Sequence, residues 1–240
     1  MKAVFYCIFI LAFFQSCTGS SHSKGLTINS EKINAAISGK KQIDQDGDHF
    51  DVKIKNIGKL NLPSGKIVAA DPTGIRIEAL PFKQSVPIGN YEVFLAIGKR
   101  ENGDEQIGLA WLAISETNTV RWEMAVYEGE NASKLNKAEF FGYGVDGGTG
   151  SFIDKNNIKS ANAILKEKNG FLKFVDALEK NYKSTRNWAL YDLEPNTAAN
   201  IAMFSSGWGD GRYPTYFGYD TNNNVTIVVT DFFVFDVLKN

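Results

Sequence analysis

Two glycine-dense segments hold the side chains best suited to catalysis or ligand binding. The first runs Gly144-Val145-Asp146-Gly147-Gly148-Thr149-Gly150-Ser151-Phe152-Ile153-Asp154. The second runs Ser205-Ser206-Gly207-Trp208-Gly209-Asp210-Gly211-Arg212-Tyr213-Pro214-Thr215-Tyr216 and on to Asp220. Glycine at this density costs backbone entropy, so it marks tight turns, positive φ or close approach of the backbone to another group. Carboxylates on such loops, Asp146, Asp154 and Asp210, with Asp231 further along, can ligate a hard cation through oxygen or work as an acid/base pair. Asp146 and Asp210 are the pair singled out for a divalent cation. Thr149 adds a hydroxyl, and Trp208, Tyr213 and Tyr216 add flat apolar faces of the kind carbohydrate and peptide sites use. The bland alternative assigns Asp146 and Asp210 to hydrogen bonds within their own turns, Asp154 to a helix cap and the aromatics to the core.

Composition narrows the chemistry. The 240 residues include 2 cysteines and 2 histidines. A Ser-His-Asp or Cys-His mechanism needs an imidazole held by the fold, and His49, at the domain edge, is the one candidate. A net charge of -1 offers no concentrated basic surface for nucleic acid. Asp44-x-Asp46-x-Asp48 resembles the start of a calcium loop, but an EF-hand needs Gly at position six and Glu at twelve, where this chain has His49 and Lys55. Gly142-x-Gly144-x-x-Gly147 matches the dinucleotide fingerprint in letters only. That motif requires a helix opening directly at its end, and the next predicted helix starts at Asp154. No nucleotide cofactor is expected.

The leader predicts an address. Met1-Lys2 precedes twelve apolar or aromatic residues, Ala3 to Phe14. A helix of that length spans about 18 Å, short of the roughly 30 Å of bilayer hydrocarbon. Residues 1–16 therefore read as a secretory signal peptide. Cys17 makes the segment resemble a bacterial lipoprotein signal, in which the cysteine becomes the lipidated first residue. Phe14-Gln15-Ser16 departs from the commonest form, which has Leu three before the cysteine. The expectation is a palmitate-type lipid anchor on a membrane of the bacterial cell envelope. No cysteine follows Cys17, so internal disulfides are excluded and the fold must rest on its core.

Residues 17–45 read as a tether with one short helix, from Ser30 as N-cap to Gly39, carrying Ile33, Ala36 and Ile37 on one face. The single domain then spans 46–240. Phe50, Val52 and Ile54 alternate with Asp51, Lys53 and Lys55 as a half-buried strand does. Leu60 to Ala70 reads as a hairpin through Pro63-Ser64-Gly65. Tyr91–Ile97, Ile107–Ile114 and Val120–Tyr127 read as an antiparallel meander, since their connections are too short for helical crossovers. Asp154 caps a predicted helix to about Lys168, stopped by Gly170. Phe171, Phe174, Val175, Leu178 and Tyr182 follow helical spacing. Strands return at 212–219 and 225–235. The class is α+β, mostly antiparallel sheet, meander or sandwich-like, with two helices inserted before the last strands.

From Gly65 to Phe232 the chain resembles the bacterial family known as domain of unknown function 4241. The resemblance rests on Gly65-Lys66-Ile67-Val68-Ala69-Ala70-Asp71-Pro72, Pro87-Ile88-Gly89-Asn90-Tyr91-Glu92-Val93 and Arg121-Trp122-Glu123-Met124-Ala125. It continues through both glycine-rich segments to Asp231-Phe232. It implies shared structure without a reaction. The leading expectation is thus an exported lipoprotein whose domain binds a protein, glycan or small ligand through the two loops. The alternative is a metal-dependent hydrolase using carboxylates of the same loops.

Overall fold

The computed structural model describes residues 25–44 and 46–239. The predicted signal peptide, Cys17 and His22 lie outside the described residues. In chain order the elements are β1 (Thr27–Ile28), α1 (Ser30–Ile37), β2 (Gln42–Ile43), β3 (His49–Leu62), β4 (Ile67–Ala70), β5 (Gly89–Lys99), β6 (Glu105–Ala113) and β7 (Arg121–Met124). They continue with β8 (Tyr143–Val145), β9 (Thr149–Asp154), α2 (Ile158–Lys166), α3 (Gly170–Glu179), β10 (Trp188–Asp192) and β11 (Asn200–Ser205). The last four are β12 (Gly211–Tyr213), β13 (Thr215–Tyr219), β14 (Val225–Asp231) and β15 (Leu238–Lys239).

Every strand pairing among the described residues is antiparallel. A seven-stranded sheet runs β2-β3-β5-β6-β14-β13-β7 and a four-stranded sheet runs β10-β11-β9-β4. Side-chain alternation in the smaller sheet builds three layers. Ile67, Ala69, Phe152, Ala202 and Phe204 face the core shared with the larger sheet. Their neighbours Val68, Ile153, Ile201 and Met203 face a second core with Ile158, Ala161 and Ile164 of α2 and Phe174 and Leu178 of α3. Successive residues of a strand point to opposite faces, so a strand covered on both sides is apolar throughout. The fold is α+β, mostly antiparallel, with α2 and α3 inserted before the last strands.

Four expectations change in detail. Leu60 to Ala70 is not a hairpin: β3 pairs with β5, whereas β4 pairs with β9 in the other sheet. Gly65 turns the chain between sheets at φ +67, where a Cβ would come within 2.1 Å of Val86 O. The meander is also interrupted, because the β13–β14 hairpin inserts between β6 and β7. The helix cap is Asn29, one residue earlier than expected, its side chain accepting from the Glu31 and Lys32 N–H groups at 3.2 Å each. Gly170 opens α3; α2 ends earlier, at Lys166.

The short helix of the predicted tether packs into the domain. Ile28, Ile33 and Ala36 belong to the larger core, and β1 pairs with β15. Strands β9, β10 and β11 appear where the sequence pattern signalled none.

Candidate functional site

The two glycine-rich segments lie side by side. β8 and β12 pair as a small ribbon, Val145 opposite Gly211 and Tyr143 opposite Tyr213. Beyond it, the Ser206 N–H donates to Gly148 O at 3.0 Å, and the Gly148 N–H donates to Asp210 Oδ1 at 2.9 Å. Asp71 fastens the first loop from below. Its Oδ2 accepts from the Asp146 and Gly147 N–H groups at 3.1 and 2.7 Å. Its Oδ1 accepts from Thr73 N and Oγ1 at 2.9 and 2.7 Å.

Tyr213 fastens the second loop. Its hydroxyl donates to Ser206 O at 3.0 Å and Gly209 O at 2.7 Å. Burial pushes its pKa up, opposed by the Ser206 bond and reinforced by the Asp210 charge, so the hydroxyl keeps its proton to donate. The loop sits tightly on the core at Gly207, where a Cβ would meet Phe232 O at 2.8 Å.

Of the predicted residues, Asp146, Thr149, Trp208, Asp210 and Tyr213 gather here. Asp146 and Asp210 are exposed and Thr149 is half-buried, its Oγ1 within 3.4 Å of Gly147 O. Trp208 is 51% exposed. The Arg100 guanidinium lies 4.6 Å from the Trp208 ring centre and 5.2 Å from that of Phe50. It also pairs with Asp44 and Asp48 at 3.2 Å each. Asp44 Oδ1 meanwhile accepts from the Asp46 and Asp48 N–H groups, both at 2.9 Å. The calcium-like acidic loop is thus organised around a cation of the chain itself.

The other three predicted residues lie apart. Asp154, fully buried, accepts from Ser64 N at 3.0 Å, Ser64 Oγ at 2.8 Å and Asn156 N at 2.8 Å, capping the short 3₁₀ turn before α2. Tyr216 is buried in the larger core, its hydroxyl donating to Leu26 O at 3.3 Å. Asp231, at the end of β14, is fully buried. Its Oδ1 accepts from the Phe233 N–H at 3.0 Å, and its Oδ2 has no hydrogen-bond partner.

Among the described residues no group of three or more His, Cys, Asp or Glu side chains is placed to hold a metal ion. Asp210 is turned to the Gly148 N–H.

Beside Trp208 lies a hollow of about 320 Å³ whose lining the sequence did not reveal. Arg186 and Gln106 form part of it, together with Tyr182, Gly148 and Gly209. Arg186 Nε and Nη2 donate to Glu105 Oε2 at 2.9 and 2.6 Å, and the guanidinium lies 4.5 Å from the Trp188 ring centre. Burial opposes ionisation of Glu105; the Arg186 hydrogen bond and charge, with Lys183 and Lys99, outweigh it and lower the pKa. Arg186 and Gln106 are only 7% and 8% exposed, yet Arg186 Nη1 and Gln106 Oε1 lack partners. A larger hollow of about 550 Å³ runs along edge strand β7, bordered by Tyr216. Its lining mixes Lys83, Arg121, Glu123 and Glu130, and Tyr216 is what the two glycine-rich segments contribute to it.

No curated protein and no solved structure matches the chain. Residues 60–230 match the family model described as protein of unknown function, DUF4241. The match runs from the end of β3 to the end of β14, so it takes in both glycine-rich loops, Asp71 and the hollow beside Trp208. The chain belongs to the DUF4241 family.

Proposed function

We propose that this protein is an exported, lipid-anchored binding protein of the bacterial envelope, its domain holding a ligand in the hollow beside Trp208. The observation that carries the binding role is one concavity bordered by two largely exposed aromatic side chains, Trp208 and Tyr182. Covering exposed aromatic surface stabilises a complex. Loops fastened by Asp71 and Tyr213 preorganise the surface, which lowers the entropy lost on binding. The address rests on the lipoprotein-like segment at Cys17.

The test compares full-length protein in detergent with its Trp208→Ala variant on fractionated envelope extract. Wild type should retain a component that the variant releases, with melting temperatures equal to within about 1 °C. Equal retention by both would remove the hollow from consideration. Radiolabelled palmitate should label wild type and leave Cys17→Ser unlabelled; equal labelling would sink the anchor.

A further inference from the structure

We infer that the turn between α2 and α3 docks on a membrane surface rich in anionic lipid. This stands apart from the hollow beside Trp208. Helical spacing puts Phe171 on the face of α3 that buries Phe174 and Leu178. Phe171 is nevertheless 48% exposed, and its neighbour Leu172 is 40% exposed. Both sit in the first turn of the helix, past the edge of the core. An exposed apolar patch rimmed by charge marks an interaction surface.

The turn holds the pair in place. The Glu167 N–H donates to Ile164 O, the Gly170 N–H to Glu167 O and the Leu172 N–H to Asn169 O, each at 3.0 Å. Asn169 is left-handed at φ +60, and a Cβ on Gly170 would run into Ile164 O.

Charge selects the partner. Lys166, Lys168 and Lys173 flank the pair and are exposed. The one acid of the turn, Glu167, pairs with Lys173 at 2.5 Å. Among the described residues no ion pair engages Lys166 or Lys168. Glu194 is bonded by Ser160 at the other end of α2, about 9 Å along the helix from Lys166. Asp192 is turned away: Tyr191 faces the helices and Leu190 the larger core, and strand alternation puts Asp192 on the Leu190 side. Asp176 and Glu179 lie further along α3, with Lys180 beside them. A second copy offering the same turn would bring lysine against lysine. An anionic bilayer rewards both features together. Phe171 and Leu172 enter the headgroup boundary, and the lysine ammonium groups meet the lipid phosphates.

Amine acetylation of the full-length protein, read lysine by lysine by mass spectrometry, tests this whether or not the leader also enters the bilayer. The probes are vesicles of phosphatidylcholine alone and of phosphatidylcholine mixed with phosphatidylglycerol. Mixed vesicles should slow acetylation of Lys166 and Lys168 about fivefold, the worth of one lysine at an anionic surface. Lys134 and Lys137, exposed beside the larger core, should react unchanged. High salt should relieve the protection, and Phe171→Ser/Leu172→Ser should remove it. Absent protection, equal protection by both vesicle types, or equal protection of all four lysines overturns the inference. So does protection that survives in a folded double variant. Heparin shielding the two lysines as well as the mixed vesicles do, in wild type and variant alike, would reassign the turn to a soluble polyanion. The lipid comparison on wild type decides the matter even where the variant does not fold.

Discussion

Asp231 shows how one residue can set the pH response of the fold. Burial pushes its pKa from 3.8 up to about 7, the Phe233 N–H opposing the rise and Asp236 adding to it. In the unfolded chain the group ionises near its ordinary value. Between about pH 4 and pH 7 the folded state therefore holds the extra proton, and stability must fall as pH rises through that window before levelling above it. The full shift amounts to on the order of 4 kcal/mol. Urea unfolding of wild type and Asp231→Asn at pH 4.5 and pH 7.5 measures it. The wild type should lose stability between the two pH values by more than the variant does; parallel losses would refute the assignment.

Residue type alone says only in part where a side chain is placed. The glycine spacing points to the loops of Asp146 and Asp210, which the fold sets side by side, because glycine density reports a backbone constraint. It could not separate Tyr213, which holds a loop from within, from Tyr216, which sits in the core, or from Trp208, which faces water. Gln106 and Arg186 gave no signal. Each becomes notable through neighbours far along the chain, as Arg186 does through Glu105, 81 residues away.

Among the elements, those with a clean period were readable. β3 buries Phe50 and Val52 in alternation with exposed neighbours, and α3 buries Phe174 and Leu178 one turn apart. β9 was hidden because its first residues, Thr149 and Gly150, extend a glycine-rich stretch that reads as loop. The sequence marks β4 as a strand, yet it pairs with β9 rather than β3, since local pattern cannot say which sheet a strand joins. The decision lies at Gly65, where positive φ and the packing of Val86 O leave no room for a side chain. Gly65→Ala should destabilise the domain by about 2–4 kcal/mol, read as a lower urea midpoint with unchanged slope. A loss under about 0.5 kcal/mol would show that the turn relaxes without strain.

For the whole molecule, three layers share one sheet. The four-stranded sheet is covered on one face by the larger sheet and on the other by α2 and α3, so it is core on both sides. The N-terminal β1 and α1 also belong to this architecture, although their polar surroundings in sequence resemble a tether. Ile28 and Ile33 are buried in the larger core. A chain shortened to begin at Lys40 should lose roughly 3–6 kcal/mol, at about 1.5–3 kcal/mol for each of those side chains. Its melting temperature should drop accordingly. An unchanged melting temperature would return this stretch to the tether.

The β1–β15 ladder places Thr27 opposite Lys239 and Ile28 opposite Leu238. Both ends of the described chain therefore leave the domain from one spot. Under tension between those ends, the ladder is pulled in peeling geometry, so its hydrogen bonds are loaded one after another. The seven-stranded sheet takes up force only once the clasp has parted. Mechanically, the two-residue ladder, together with the Leu26 N–H bond to Glu139 O outside it, is a fuse placed where its opening leaves both stacked sheets intact.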